Sequence, residues 1–297
     1  MRTTSPNPFN TCKTAPLAAA ALAVFLIVFP SNSLYAAIPE TEWRDLSDKD
    51  MSPLGKAALS LDKELWKHAE SDHFVYHYTD AKEAEMLYKA SEIYYLWVKD
   101  MFGVETDQWK KKGQIFIFET EDQWKAFKKK VKTEMTGDAF TNGWELFIYR
   151  NPFWLAPKKT LAHELTHVIV FRFLDGPIPL FLNEGFAEFI SYKAMAMHAD
   201  GDEYRVRKMT FMDEKDFTSL DALISTRDYP KDKEELFYQE SELFVRHLIL
   251  GQGSKKFYAF MKSVSGGEDV QDALKTVYGF DLEDFEKKFH HYALTGK

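Results

Sequence analysis

The sequence predicts an α+β fold, in which a small sheet mixed with helices forms an N-terminal lobe and a mostly helical C-terminal lobe follows. Short β-rich runs occur at 74–78, 114–118 and 146–149, all in the first half of the chain. From Pro157 onward the chain reads as almost wholly helical. The 297 residues are 45% hydrophobic and 15% aromatic, which is enough for a sizeable core and unlike a disordered or fibrous chain.

Residues 1–36 read as a secretory signal. Arg2 and Lys13 give a positive start, an apolar run of 13 residues extends from Leu17 to Phe29, and Pro30 to Ser33 break it before Ala36 and Ala37. A membrane-crossing helix needs about 20 apolar residues, so this run is short for one. Cleavage after Ala36 implies an exported chain, periplasmic or extracellular, with no stable membrane span. The alternative is a chain anchored by the uncleaved segment. Cys12 is the only cysteine and would leave with the signal, so no disulfide is expected.

Charge narrows the partners. The chain has 38 basic and 46 acidic residues; without Arg2 and Lys13 the balance is 36 against 46, a net −10. Such a chain is a poor nonspecific binder of nucleic acid or of an anionic membrane.

The elements follow in order. Residues 37–72 read as a polar entry region with one short helix near 57–68. Residues 73–175 form the α/β lobe. Phe74 to Tyr78 alternate as a strand. Ala84, Leu87, Ser91, Tyr94, Val98 and Met101 then mark a helix closed by Gly103. Residues 114–118 are a second strand. Thr120, with Glu121 and Asp122 behind it, starts another helix. After Asn142 and Gly143, residues 146–149 read as a strand at a sheet edge, able to pair with an extended peptide. Helices are expected near 158–174, 183–198, 203–213, 234–250, 254–264, 268–278 and 281–293. Residues 176–297 make up the helical lobe.

The chemistry sits at His163, Glu164 and His167, an H-E-x-x-H pentad inside an unbroken helical segment. Residues four apart on a helix share a face one turn apart, so two imidazoles can converge on one metal ion. Glu164, about 100° around the helix, stands beside that ion, where it can take a proton from water. Leu161, Leu165, Val168, Ile169 and Val170 supply the buried side of the helix. Catalytic zinc needs three protein ligands and one open position. A carboxylate is available in the segment FLNEGFAEF at 181–189, because the turn at 175–179 lets the next helix pack back on the first.

H-E-x-x-H followed by N-E-G-F-A-E resembles the gluzincin zinc metallopeptidases, most closely the peptidase MA-like group, and also the aminopeptidase-N type. The motifs occupy 161–189, and a looser likeness runs over about 73–290. The resemblance implies a zincin-like fold with the active-site helix between the lobes, and hydrolysis of a peptide or protein substrate, as an endopeptidase of the cell envelope. It implies zinc on His163, His167 and Glu184, with Glu164 as general base. A tyrosine or histidine of a later helix steadies the oxyanion in this family: Tyr238 fits best, and His247 on the same helix is the alternative. Glu188, one turn beyond Glu184, corresponds to the carboxylate that holds the ring N–H of the first zinc histidine in thermolysin-like relatives. The aminopeptidase-N type also carries G-x-M-E-N on the strand before the zinc helix. Here the stretch is Asn142-Gly143-Trp144-Glu145-Leu146, which keeps a glycine and a glutamate but not the motif, so Glu145 is only a candidate amine anchor. The alternative function is a zinc-binding envelope module that retains the fold without turnover.

Overall fold

The computed structural model describes residues 38–297 apart from 106–108, 110, 134–136, 150–156, 175 and 199–210. The segment expected to be a signal and most of the helix expected near 203–213 therefore lie outside the described residues. Residues 37–297 pack as one compact unit.

The first α-helix among the described residues is α1 (Pro53–Leu59), which Ser52 caps by accepting from the amides of Leu54 and Gly55. This helix begins and ends earlier than the expected one near 57–68, because Asp62 takes a left-handed conformation (φ 47°) that no helix continues through. Residues from that span instead enter strand β1 (Lys67–Glu70), which pairs antiparallel with β2 (Phe74–Tyr78). Helix α2 (Ala81–Phe102) follows, capped by Asp80 and closed by Gly103 at φ 62°. Strand β3 (Gly113–Phe118) leads to α3 (Glu121–Val131), whose start is a reciprocal capping box between Thr120 and Gln123. Strands β4 (Ala139–Asn142) and β5 (Glu145–Tyr149) form a hairpin over Asn142, Gly143 and Trp144, with Gly143 at φ 60°.

The sheet order is β1-β2-β3-β5-β4. β2, β3 and β5 run parallel, and β1 and β4 are antiparallel borders. This corrects the reading of 146–149 as a sheet edge. β5 is hydrogen-bonded on both sides, and the free edge belongs to β4, a strand of four residues that sequence alternation alone left unnoticed.

Side chains alternate across the sheet with period two. Ile115, Ile117, Leu146 and Ile148 point into the main core, which also holds the helices that follow. Phe116, Phe118, Phe147 and Tyr149 point the other way, into a second core with Trp124 and Phe127 of α3 and Ala58 of α1.

The rest of the described chain is helical: α4 (Pro157–Phe173), α5 (Leu180–His198), the short α6 (Leu220–Ser225), α7 (Glu234–Gln252), α8 (Ser254–Ser265), α9 (Val270–Ala273) continued by a π turn to Tyr278, and α10 (Leu282–Thr295). α5 packs against both α4 and α7. At the α5–α7 crossing a Cβ on Gly185 would lie 2.2 Å from the carbonyl oxygen of Ser241. Only glycine allows the two backbones to come this close. No helix of the described residues is long and apolar enough to cross a membrane.

Candidate metal centre

α4 is anchored by Leu161, Ala162, Leu165, Val168 and Ile169, each at most 1% exposed. The remaining stripe carries His163, Glu164 and His167, all half-buried. The two imidazole centroids are 4.8 Å apart and the rings nearly perpendicular, at 83°. From α5, Glu184 projects between them at 3% exposure. Its Oε2 lies 3.1 Å from His163 Nε2 and 3.6 Å from His167 Nε2.

One ligand atom from each of these three residues falls within 4.8 Å of the other two. Zinc with bonds of about 2.0–2.1 Å in a tetrahedron separates its ligand atoms by roughly 3.3 Å. The two histidine–carboxylate separations bracket that value. Two neutral imidazoles and a carboxylate are also a zinc donor set, so the residues present fit the ion.

Around these donors lies a second set of contacts. Glu188 Oε1 is 3.0 Å from His163 Nδ1, and Glu188 Oε2 is 2.9 Å from Lys159 Nζ. With Nδ1 turned to Glu188, Nε2 of His163 faces Glu184 and the centre, where an ion would take the place of its proton. His167 Nδ1 has no such partner among the described residues. Glu164 makes no hydrogen bond among the described residues and lies close enough to both imidazoles and to Glu184 for their charges to act on it.

The field at the centre is strongly negative. Burial pulls His163 down, but its hydrogen bonds to Glu184 and Glu188 outweigh that and carry it up to about 10. Burial raises Glu184 and Glu188 as well. The imidazoles beside both, Tyr229 at Glu184 and Lys159 at Glu188 reverse this and hold them below the usual carboxylate range. Glu164 is pushed up by burial, with His167 and His163 opposing.

Tyr238 comes from α7, its ring 6.2 Å from that of His163. Burial, then the charges of Glu184, Glu234 and Glu188, raises its pKa, so the hydroxyl keeps its proton. Tyr229, in the loop between α6 and α7, donates a hydrogen bond of 2.8 Å to Glu184 Oε1. The rings of Tyr229 and Tyr238 lie 6.1 Å apart and are tilted by 40°. His247 is not at the centre. Nine residues from Tyr238 is about half a turn around a helix, and His247 packs against Phe285, Phe289 and Tyr292 of α10.

Glu145 is also elsewhere. It belongs to the alternate set of β5 and points to the face away from α4. There it accepts from Ser52 N at 2.6 Å, from Ser52 Oγ and from Asn142 Nδ2 at 3.3 Å. It is fully buried and fastens the start of α1 to the sheet, which accounts for its charge without an amine ligand. No pattern in the sequence points to Tyr229, which lies in a loop, or to Lys159, one turn before His163.

Against known proteins, the family model described as the peptidase MA superfamily matches residues 101–295, covering α2 partway through to the end of α10. No curated protein matches the chain.

Proposed function

Because the chain belongs to the peptidase MA superfamily, we propose that it is a zinc-dependent peptidase that cuts within peptide or protein substrates. The observation that carries this reading is the convergence of His163, His167 and Glu184, with Glu164 unbonded beside them. A zinc ion on these three ligands supplies Lewis acidity, lowering the pKa of a water toward about 7 and polarising the scissile carbonyl.

The chain's own residues do the rest. Glu164, raised by burial, takes a proton from the attacking water and passes it to the leaving amine. Glu188 orients His163 through Nδ1. Tyr238 keeps its proton and can donate to the developing oxyanion. The free edge of β4, which packs against α4, offers backbone groups to an extended substrate. An internal cut is favoured over an aminopeptidase reaction, because Glu145 is engaged by Ser52 and Asn142 on the far face of the sheet.

A structural zinc module would use the same three ligands but has no need of Glu164. Substituting Glu164→Gln tests this: zinc should be retained while cleavage of a peptide library falls by about 10²–10⁴-fold, the worth of a positioned base. Cleavage that survives both this change and a chelator would refute the proposal. Residues 1–36 support export to the periplasm or the medium. The N-terminus of the exported chain should then be Ala37, and a membrane fraction retaining Met1 would instead indicate an anchor.

A further inference from the structure

The two oxygens of Glu184 face different partners. Oε2 stands 3.1 Å and 3.6 Å from the Nε2 atoms of His163 and His167. Oε1 accepts the hydroxyl of Tyr229 at 2.8 Å. Tyr229 comes from outside the helices that carry the ligands. Its ring is held by Tyr238 and Phe237, with centroids 6.1 and 6.5 Å away. Its outer side is at the surface, 45% exposed, whereas Glu184 is 3% exposed. Water therefore has little room to replace the phenol at Oε1.

We propose that Tyr229 is a positioning residue that restricts Glu184 to a single ligand oxygen, Oε2. This inference rests on the reading of the centre as a zinc site. A glutamate can hold a metal through one oxygen or both, and the choice decides whether a position stays open for chemistry. Rotating Oε1 from the hydroxyl toward the ion would break its bond to Tyr229. Without the hydroxyl, a buried Oε1 is left either unpaired, which is costly, or turned inward as an additional ligand.

The test uses the mature chain loaded with zinc or with cobalt(II), whose visible d–d absorption is intense in four-coordination and weak at higher coordination. Tyr229→Phe keeps the ring and removes only the hydroxyl. Its cobalt band is expected to weaken while the circular dichroism spectrum stays that of the wild type. Zinc-supported turnover should fall by roughly 10–100-fold, as losses of a ligand's outer partner usually do. Tyr238→Phe, which leaves the bond of Tyr229 to Glu184 in place, should keep the wild-type cobalt spectrum. An unchanged cobalt spectrum in Tyr229→Phe overturns the inference whatever the rate, leaving the zinc-peptidase reading in place. A wild-type chain that takes up neither metal overturns both.

Discussion

Replacing Gly185 by alanine separates local propensity from packing by the sign of its effect. Inside a helix, alanine is better than glycine by about 1 kcal/mol. On propensity alone the variant would be more stable. At this position, however, the new Cβ would stand 2.2 Å from the Ser241 oxygen and 2.5 Å from its carbonyl carbon. Ordinary contact needs about 1 Å more, and both obstructing atoms are backbone in the middle of α7. The helices must therefore part, disturbing a seam formed by fully buried Phe181 and Phe244, whose rings are 5.1 Å apart. Overpacking of this kind costs about 1–3 kcal/mol, towards the top of that range where backbone must move. Set against the propensity gain, the net loss is roughly 1–2 kcal/mol. At about 2–4 °C per kcal/mol for a chain of this size, the melting temperature should drop by about 2–8 °C. Since Glu184 is the adjacent residue, zinc affinity should fall as well. Thermal melts with chelator, and again with zinc, read both effects. A melting temperature at or above that of the wild type would refute the argument that glycine is required here for helix approach.

Three further outcomes follow from the same geometry. Glu184→Ala should abolish tight zinc binding at neutral pH, whereas Glu188→Ala should weaken it by roughly 10–100-fold; a chelator competition titration that ranks them in the reverse order would exchange the two roles. Tyr238→Phe should fold and hold zinc but turn over about 10²–10³-fold more slowly if its hydroxyl serves the oxyanion, and steady-state rates equal to the wild type would remove it from the mechanism. Glu240, buried in α7 where it accepts from Thr218 N at 3.1 Å, is raised by burial from 4.5 to about 7. The folded chain thus holds this proton more tightly than the unfolded one, so its stabilising effect is full below pH 4.5 and lost as pH rises through about 7. That elevation corresponds to on the order of 3 kcal/mol. Glu240→Gln should accordingly melt higher than the wild type at pH 8 and equally at pH 4.5, and a difference independent of pH would show another cause.

How much of this was legible in the sequence depends on whether the information is local. Helices α2, α4, α5 and α7 announce themselves by apolar spacing, and β2, β3 and β5 by runs of aromatic and branched residues that the parallel middle of a sheet buries on both faces. β1, with the sequence KHAE, has no such run. It is a strand because β2 offers it a free edge, which is a tertiary fact. For β4 the sign was present, since Asn142-Gly143 between two short runs is a hairpin turn, but only its downstream arm was read. The pair His68 and His77, with Nδ1 atoms 2.8 Å apart across β1 and β2, is invisible until that pairing is known. Glu145 lies where a resemblance to a G-x-M-E-N strand would place an anchor. Its direction depends on which face α4 covers, and no spacing in the sequence gives that. Helical spacing alone separates His247 from Tyr238, by half a turn around the helix. The donors at 163, 167 and 184 were readable because two lie on one helix and the third follows a chain reversal. Tyr229 was not, because a loop has no periodicity to say where it returns.

The charges around the centre connect the fold to its ligand. Glu164, Glu184 and Glu188 stand around the two imidazoles, and Lys159 pairs with Glu188. Two negative charges in excess at a partly desolvated site are costly unless compensated. A proton on His163 compensates one, which is the physical reason that its pKa climbs to about 10 against the pull of burial. A dication compensates both, and it needs the Nε2 lone pair that the proton occupies. Proton and metal therefore compete for the same imidazole. Because the elevated value lies above neutrality, His163 carries the proton at pH 7–8, and zinc uptake there should release about one proton per ion. The affinity for zinc should rise with pH until His163 has titrated. Calorimetry of zinc binding in buffers of different ionisation enthalpy counts the protons released. If the observed enthalpy were the same in every buffer, His163 would already be neutral, and the excess charge that makes this a site for a dication would have to be compensated elsewhere in the chain.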